Sequence, residues 1–157
     1  MENICTVTTK EMVIRRISPS VTLALRRSIL RPHLSIKECR HEGDSNAETR
    51  HFGAYENAEL IGVASVFKAV PPNGDQADSW RLRGMAVSEK ARNSGSGKKL
   101  LAHCIDYANT QNGNIFWCYA RITAIPFYEK YGFKINGVAF DFPHVGPVKL
   151  MIKPLIQ

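Results

Sequence analysis

Residues 92–101 read Arg-Asn-Ser-Gly-Ser-Gly-Lys-Lys-Leu-Leu (RNSGSGKKLL), placing two glycines, two serines and three cations directly before an apolar pair. On one side stands WRLRGMAV (80–87), a partly alternating run that predicts a strand. On the other side Leu100, Leu101, Cys104, Ile105 and Ala108 recur at helical spacing, predicting a helix over about 97–110 that Asn112-Gly113 ends. A glycine-bearing loop between strand and helix is where an anion can settle. The first N–H groups of a helix have no partner in a preceding turn, the helix end is partly positive, and glycine lets the backbone approach closely. The same residues also describe an ordinary polar turn into a helix, and the segment alone leaves both readings open. Two known cradles do not fit. The P-loop needs a glycine where Arg92 stands and Ser or Thr where Lys99 stands, and the dinucleotide fingerprint needs glycine at Leu100.

Working outward, Met12 to Ile17 predicts a first strand. Pro19-Ser20 opens a helical stretch whose Val21, Leu23, Ala24, Leu25 and Ile29 form an apolar side, and Pro32 stops it. Residues 33–48 (HLSIKECRHEGDSNAE) are polar and irregular, a loop length that in a small domain is often functional. His51–Tyr55 and Leu60–Val70 predict a hairpin turning at Glu56-Asn57-Ala58, and Pro71-Pro72-Asn73-Gly74 is a further turn. Gly84, inside the WRLRGMAV strand, signals a bulge or a close backbone approach. Beyond the helix follow a buried strand (115–119), a short helix (123–131) stopped by Gly132, and strands at 133–135 and 149–152. The order gives an α/β sheet with a strand–loop–helix crossover at its centre.

The 157 residues suit a single domain spanning 1–157, and 44% apolar residues suffice for one core. The net charge of +7 favours an anionic partner, but no run of five cations and no aromatic–basic interleaving points to nucleic acid. The N-terminal stretch lacks an apolar core of signal-peptide length and no run reaches membrane-spanning length, so a cytoplasmic chain without a membrane partner is expected. Cys5, Cys39, Cys104 and Cys118 show no CxxC pairing and read as reduced thiols. His33, Cys39, His41 and His51 cluster in sequence without a zinc spacing, so no metal is expected.

A third pattern fits the opening stretch. Arg92-x-x-Gly95-x-Gly97 resembles the [RQ]-x-x-G-x-[GA] signature of the GNAT superfamily of N-acetyltransferases. Residues 124–133 (AIPFYEKYGF) resemble that family's second signature, about 30 residues downstream, and the order of elements matches over nearly the whole chain. The resemblance implies a mixed, mostly antiparallel central sheet flanked by helices, with a splayed central strand at the cofactor cleft. It implies acetyl-CoA as donor, with pyrophosphate on the N–H groups of residues 93–98 (Asn93, Ser94, Gly95, Ser96, Gly97 and Lys98) beside Arg92. The pantetheine arm would lie along Met85, Ala86 and Val87 as an added strand. The sequence departs from the family at Asn93, where glycine is common, at Ser96, where an aliphatic residue is common, and at Arg121, where many relatives carry asparagine. No Glu lies on WRLRGMAV, where several members place a base.

Acetyl transfer to an amine needs a neutral amine, a stabilised oxyanion and a departing thiolate. A backbone N–H near Met85 or Val87 would serve the oxyanion if the strand splays at Gly84. Tyr128 would donate to the sulfur; a phenol near pKa 10 against a thiol near 8.5 stabilises the forming thiolate rather than handing over its proton. Glu42, Asp44, His51, Asp141 and His144 are candidate bases, beside a water chain. Cys118 reads as a buried strand residue rather than a nucleophile. The expected function is N-acetylation of a small-molecule or peptide amine by a monomer or homodimer; the alternative is a non-catalytic protein that keeps the acetyl-CoA cleft. The acceptor would be set by residues 33–48 and by the segment after Ile135, and no acidic pocket for a polyamine is visible.

Overall fold

The structure, a computed structural model, describes residues 11–72, 74 and 78–155. Cys5 and Asn73 of the predicted turn lie outside the described residues. Among the described residues eight strands form one sheet: β1 (Met12–Ile17), β2 (Arg50–Glu56), β3 (Glu59–Lys68), β4 (Ser79–Val87), β5 (Ile115–Arg121), β6 (Lys134–Ile135), β7 (Phe140–Phe142) and β8 (Gly146–Pro154). Their spatial order is β1-β2-β3-β4-β5-β8-β6, with β7 also paired to β8. Every pairing is antiparallel except β4 with β5. A parallel pair needs a crossover, and α2 (Ser96–Thr110) supplies it. The mixed, mostly antiparallel sheet with flanking helices is therefore present as expected.

The helical spacing read from the sequence is the face that α2 buries. Leu100, Leu101, Cys104 and Ala108 pack on Phe52, Ala64, Val66, Trp80, Leu82 and Phe116 of the sheet. Fully burying the two leucines is worth about 3–6 kcal/mol in hydrophobic transfer. The β2–β3 hairpin turns through Asn57 and Ala58, both with positive φ (51° and 64°), as a tight two-residue loop requires. Strand β7 had no counterpart in the sequence reading, because its three residues, Phe-Asp-Phe, are too short a run to signal a strand.

The helical stretch over residues 19–30 is not one regular helix. It is tight over Pro19–Thr22, makes a single α turn as α1 (Leu23–Leu25), and widens to i→i−5 bonding over Arg26–Leu30. The Arg31 N–H is shared between the carbonyls of Arg26 (3.0 Å) and Arg27 (3.2 Å). The apolar side predicted there is corrected: Val21 and Ala24 are exposed, while Thr22, Leu23 and Arg26 face inward. A buried guanidinium is tolerated because the Asp44 carboxylate meets it at 2.7 Å.

Candidate active site

Strands β4 and β5 pair over three positions only, Ser79 with Ile115, Trp80 with Phe116 and Arg81 with Trp117. Past Arg81 they part and open a wedge at the centre of the sheet. On its other edge β4 carries a bulge against β3. Ser65 faces Arg83 and Val63 faces Ala86, so Gly84 and Met85 together oppose Ala64. Gly84 holds φ +62°, and a Cβ there would lie 2.9 Å from Arg26 Nε. Glycine is thus required twice, by its left-handed backbone and by the guanidinium laid against it.

The expected site residues fall on one side of this wedge. Met85, Ala86 and Val87 end β4. Arg92 to Gly95 form the loop, and Ser96, Gly97 and Lys98 make the first turn of α2. Gly95 precedes the helix at φ +84°, with open space where a side chain would be. Lys99 N–H makes the first helical bond, to the Gly95 carbonyl (3.1 Å), so the N–H groups of Ser96, Gly97 and Lys98 have no preceding turn to bond. Ser94 ties the loop down, donating to the Ala91 carbonyl and sharing a 2.7 Å hydrogen bond with Ser96. Arg92, Asn93 and Lys98 are exposed.

Residue 128 arrives from α3 (Ile125–Lys130), beyond β5. Here the two sequence motifs meet. A Cβ on Gly97 would stand 3.6 Å from the Phe127 ring, and the Tyr128 hydroxyl lies 3.9 Å from Met85 Sδ. Burial pushes the Tyr128 phenol well above its usual pKa, with the Cys118 and Cys104 thiols adding to the shift. The hydroxyl is therefore a proton-bearing donor at neutral pH. Burial also pushes the Cys118 thiol up to about 12, which keeps it protonated and poorly nucleophilic.

The wedge holds a cavity of about 240 Å³, whose lining includes Gly84, Met85 and Tyr128. Four arginines line it: Arg31, Arg81, Arg83 and Arg121. Of the five base candidates, Glu42 lines this cavity and Asp44, His51, Asp141 and His144 do not. Asp44 and His51 are already committed. Arg26, 1% exposed, donates both terminal nitrogens to the Asp44 carboxylate (2.7 and 3.1 Å) and also bonds Ser65 Oγ (3.0 Å) and the Cys39 carbonyl (3.2 Å). Burial alone would raise the Asp44 pKa. The hydrogen bonds from Arg26 and the His41 N–H, with the Arg26 and Arg83 charges, outweigh it and hold the carboxyl below its usual range. Both ring nitrogens of His51 are engaged, with Ser65 Oγ (2.6 Å) and the Asp44 carbonyl (2.9 Å). His41 reaches the cavity wall, but burial and then the charges of Arg26, Arg83 and Arg31 lower it to about 3, so it stays a neutral imidazole. Among the described residues no group of three or more His, Cys, Asp or Glu side chains is placed to hold a metal.

The cavity arginines are what sequence reasoning missed, apart from Arg121. A signal was present: Arg81 and Arg83 alternate along a strand that had to be central, so both had to lie on one covered face of the sheet.

Residues 22–133 match the family model described as acetyltransferase (GNAT) family. The chain is 34% identical over 142 residues, 90% of its length and 95% of the relative's, to an uncharacterized N-acetyltransferase, YitI, of Bacillus subtilis (strain 168). In fold it is similar to the ribosomal-protein-S18-alanine N-acetyltransferase of Escherichia coli, with a TM-score of 0.71 at 18% identity over 94% of this chain and 96% of that one. It is also similar in fold to an aminoglycoside 6'-N-acetyltransferase complexed with coenzyme A, with a TM-score of 0.68 at 17% identity over 92% of this chain and 98% of that one.

Proposed function

The chain belongs to the GNAT acetyltransferase family, and from that premise we propose that it transfers the acetyl group of acetyl-CoA directly to a primary amine of a small molecule or peptide. One observation carries the reading: the Gly95–Gly97 turn, the open edge of β4 and the Tyr128 hydroxyl converge on one wedge in the sheet. Such a site takes an elongated thioester donor with a phosphate-bearing end.

Each residue has a role that its position supports. The N–H groups of Asn93, Ser94, Gly95, Ser96, Gly97 and Lys98 receive the pyrophosphate, with the exposed Arg92 and Lys98 adding positive charge. The β4 edge at Met85, Ala86 and Val87, unpaired on the β5 side, takes the pantetheine arm as an added strand. Bound acetyl-CoA supplies the activated acyl carbonyl. A backbone N–H just past the Gly84 bulge donates to the carbonyl oxygen as it gains charge. Tyr128 donates to the sulfur as it leaves. Protonated Cys118 takes no acyl group, so the amine attacks directly. Glu42, on the cavity wall, or a water beside it accepts the amine's proton.

The whole chain, 1–157, serves as one transferase domain, cytoplasmic and monomeric or dimeric. Among the described residues no helix is long and apolar enough to cross a membrane.

The test is calorimetric titration with acetyl-CoA, followed by thiol release with a panel of amines. The parent should bind and turn over, and Gly97→Glu should not bind. A Cβ at that position meets only ordinary contacts, 3.6 Å to Phe127 and 3.7 Å to Val87, so the variant should fold. Unchanged affinity in folded Gly97→Glu refutes the cradle. Binding without turnover of any amine favours the non-catalytic alternative.

A further inference from the structure

We propose that the acceptor is an anionic amine, one whose carboxylate or phosphate is held by the arginines of the cavity while its amino group faces the thioester. The proposal rests on the acetyltransferase reading and names the substrate class of the same site.

The charge balance at the cavity carries it. Arg31, Arg81, Arg83 and Arg121 line the wall, and Glu42 is the one acidic side chain among the described residues that line it. Glu42 is exposed at the rim. The nearest other carboxylate, Asp44, is taken by Arg26 (2.7 Å), and Arg83 reaches it only at 3.4 Å. His41 adds no charge at neutral pH. A wall this cationic is costly to assemble without an anion to face it.

The arginines are also held in place. The Arg81 guanidinium sits 5.0 Å from the Tyr119 ring centroid, 5.1 Å from Trp117 and 5.6 Å from Phe67. Its Nε is buried without a hydrogen-bond partner, and among the described residues it has no ion pair. Arg83 lies 4.4 Å from the Phe67 centroid, fixed by the Glu42 carbonyl (2.8 Å), and its Nε is likewise unpartnered. Arg121 donates to the Leu30 carbonyl, which brings the end of β5 against the helical segment bearing Arg31. Burial lowers Arg83 to about 10, so it remains a cation at neutral pH. Planar guanidinium forks fixed by aromatic faces match carboxylate and phosphate geometry better than flexible lysines would.

The same field has a second effect. An ammonium brought among guanidiniums loses its proton more readily, and the neutral amine is the nucleophile. Polyamines and aminoglycosides, which arrive with several positive charges, are disfavoured. The cavity, at about 240 Å³, is smaller than the ~300–1,000 Å³ of drug-sized sites. It therefore takes a compact acid or one end group.

Matched pairs test this: phenylalanine against phenethylamine, glucosamine 6-phosphate against glucosamine, with spermidine and kanamycin as polycations. With acetyl-CoA saturating, the anionic member of at least one pair should show kcat/KM at least about tenfold above its partner. The two pairs separate carboxylate from phosphate as the anion. Arg81→Gln should raise KM for the acceptor that bears the acid group about tenfold or more, leave acetyl-CoA affinity unchanged, and raise KM for the partner without that group by a much smaller factor. Better turnover of amines without an acid group, polycations included, overturns this inference and leaves the transferase reading standing. Equal loss for both members of a pair in Arg81→Gln also overturns it. Turnover of no amine by protein that binds acetyl-CoA overturns both. A readout apart from turnover is calorimetric titration of coenzyme A-loaded protein with N-acetylphenylalanine and N-acetylphenethylamine. Only the acid should bind, and equal binding counts against the arginines as the anchor.

Discussion

Asp44→Asn should cost far more than a surface charge change, because it strips the counter-charge from a guanidinium that is 1% exposed. Asparagine keeps the shape and some hydrogen bonding. It leaves Arg26 bonded to Ser65 and to the Cys39 carbonyl, but with no carboxylate, and with Arg83 as an unbalanced neighbour. Removing one partner of a buried pair costs about 3–5 kcal/mol. At about 2–4 °C per kcal/mol for a chain of this size, Tm should fall by roughly 6–20 °C. Arg26→Met with Asp44→Asn should recover part of that loss, since no buried charge is then left without its counter-charge. Urea unfolding of the four members of the cycle measures the coupling. A loss below about 1 kcal/mol in Asp44→Asn, or a double variant no more stable than the two single losses added, refutes the ion pair as the element that holds Arg26 against Gly84.

Three further outcomes follow from the site. Tyr128→Phe keeps the ring and removes a donor used mainly as charge builds on sulfur. kcat should fall about 30- to 1,000-fold, with acetyl-CoA affinity and Tm near normal; a loss under about threefold, with chemistry rate-limiting, assigns protonation of the sulfur to water. Incubation with acetyl-CoA and no amine should leave the protein mass unchanged, because burial keeps Cys118 protonated; a stoichiometric acetyl group on Cys118, discharged by amine, contradicts direct transfer. Acid should destabilise the fold earlier than carboxylate titration alone. Unfolded histidine takes a proton near pH 6.5, whereas folded His41 does so only near 3. Stability should therefore drop as pH falls from about 6.5 towards 3, with the lowered pKa of His51 adding to the drop and Asp44 adding its loss at the acid end. Urea midpoints that stay flat between pH 7 and 4.5 contradict the neutral His41.

The donor side of the site was legible in the sequence because local backbone rules write it. A left-handed glycine before a helix, a bulge-forming glycine in a strand and helical spacing at 100, 101, 104 and 108 are features of consecutive residues. The acceptor side was not legible, because its energetics are non-local. Arg26 meets Asp44 across 18 positions and Arg83 meets the 42–44 turn across about 40. Apolar spacing placed Val21 and Ala24 inward, and the ion pair turned Arg26 inward instead. Asp44 and His51 looked like free acid–base groups in a polar loop until their partners, Arg26 and Ser65, were in view.

The widened turn over Arg26–Leu30 has a consequence for how the chain tolerates changes in length. A wide turn is an α-helix holding one residue too many. Deleting a single residue between 27 and 30 would let the coil close to regular i→i−4 bonding, with Arg26 still lodged against the bulge. The segment after the deletion would keep its direction, because the wide turn absorbs its extra residue within a single turn. The Arg31 N–H, already bonded to the Arg26 carbonyl, would become its regular partner, so Arg31 would stay on the cavity wall and the Leu30 carbonyl would stay within reach of Arg121. One in-frame codon loss is thus absorbed here, whereas the same loss inside the regular α2 would turn everything beyond it by about 100°.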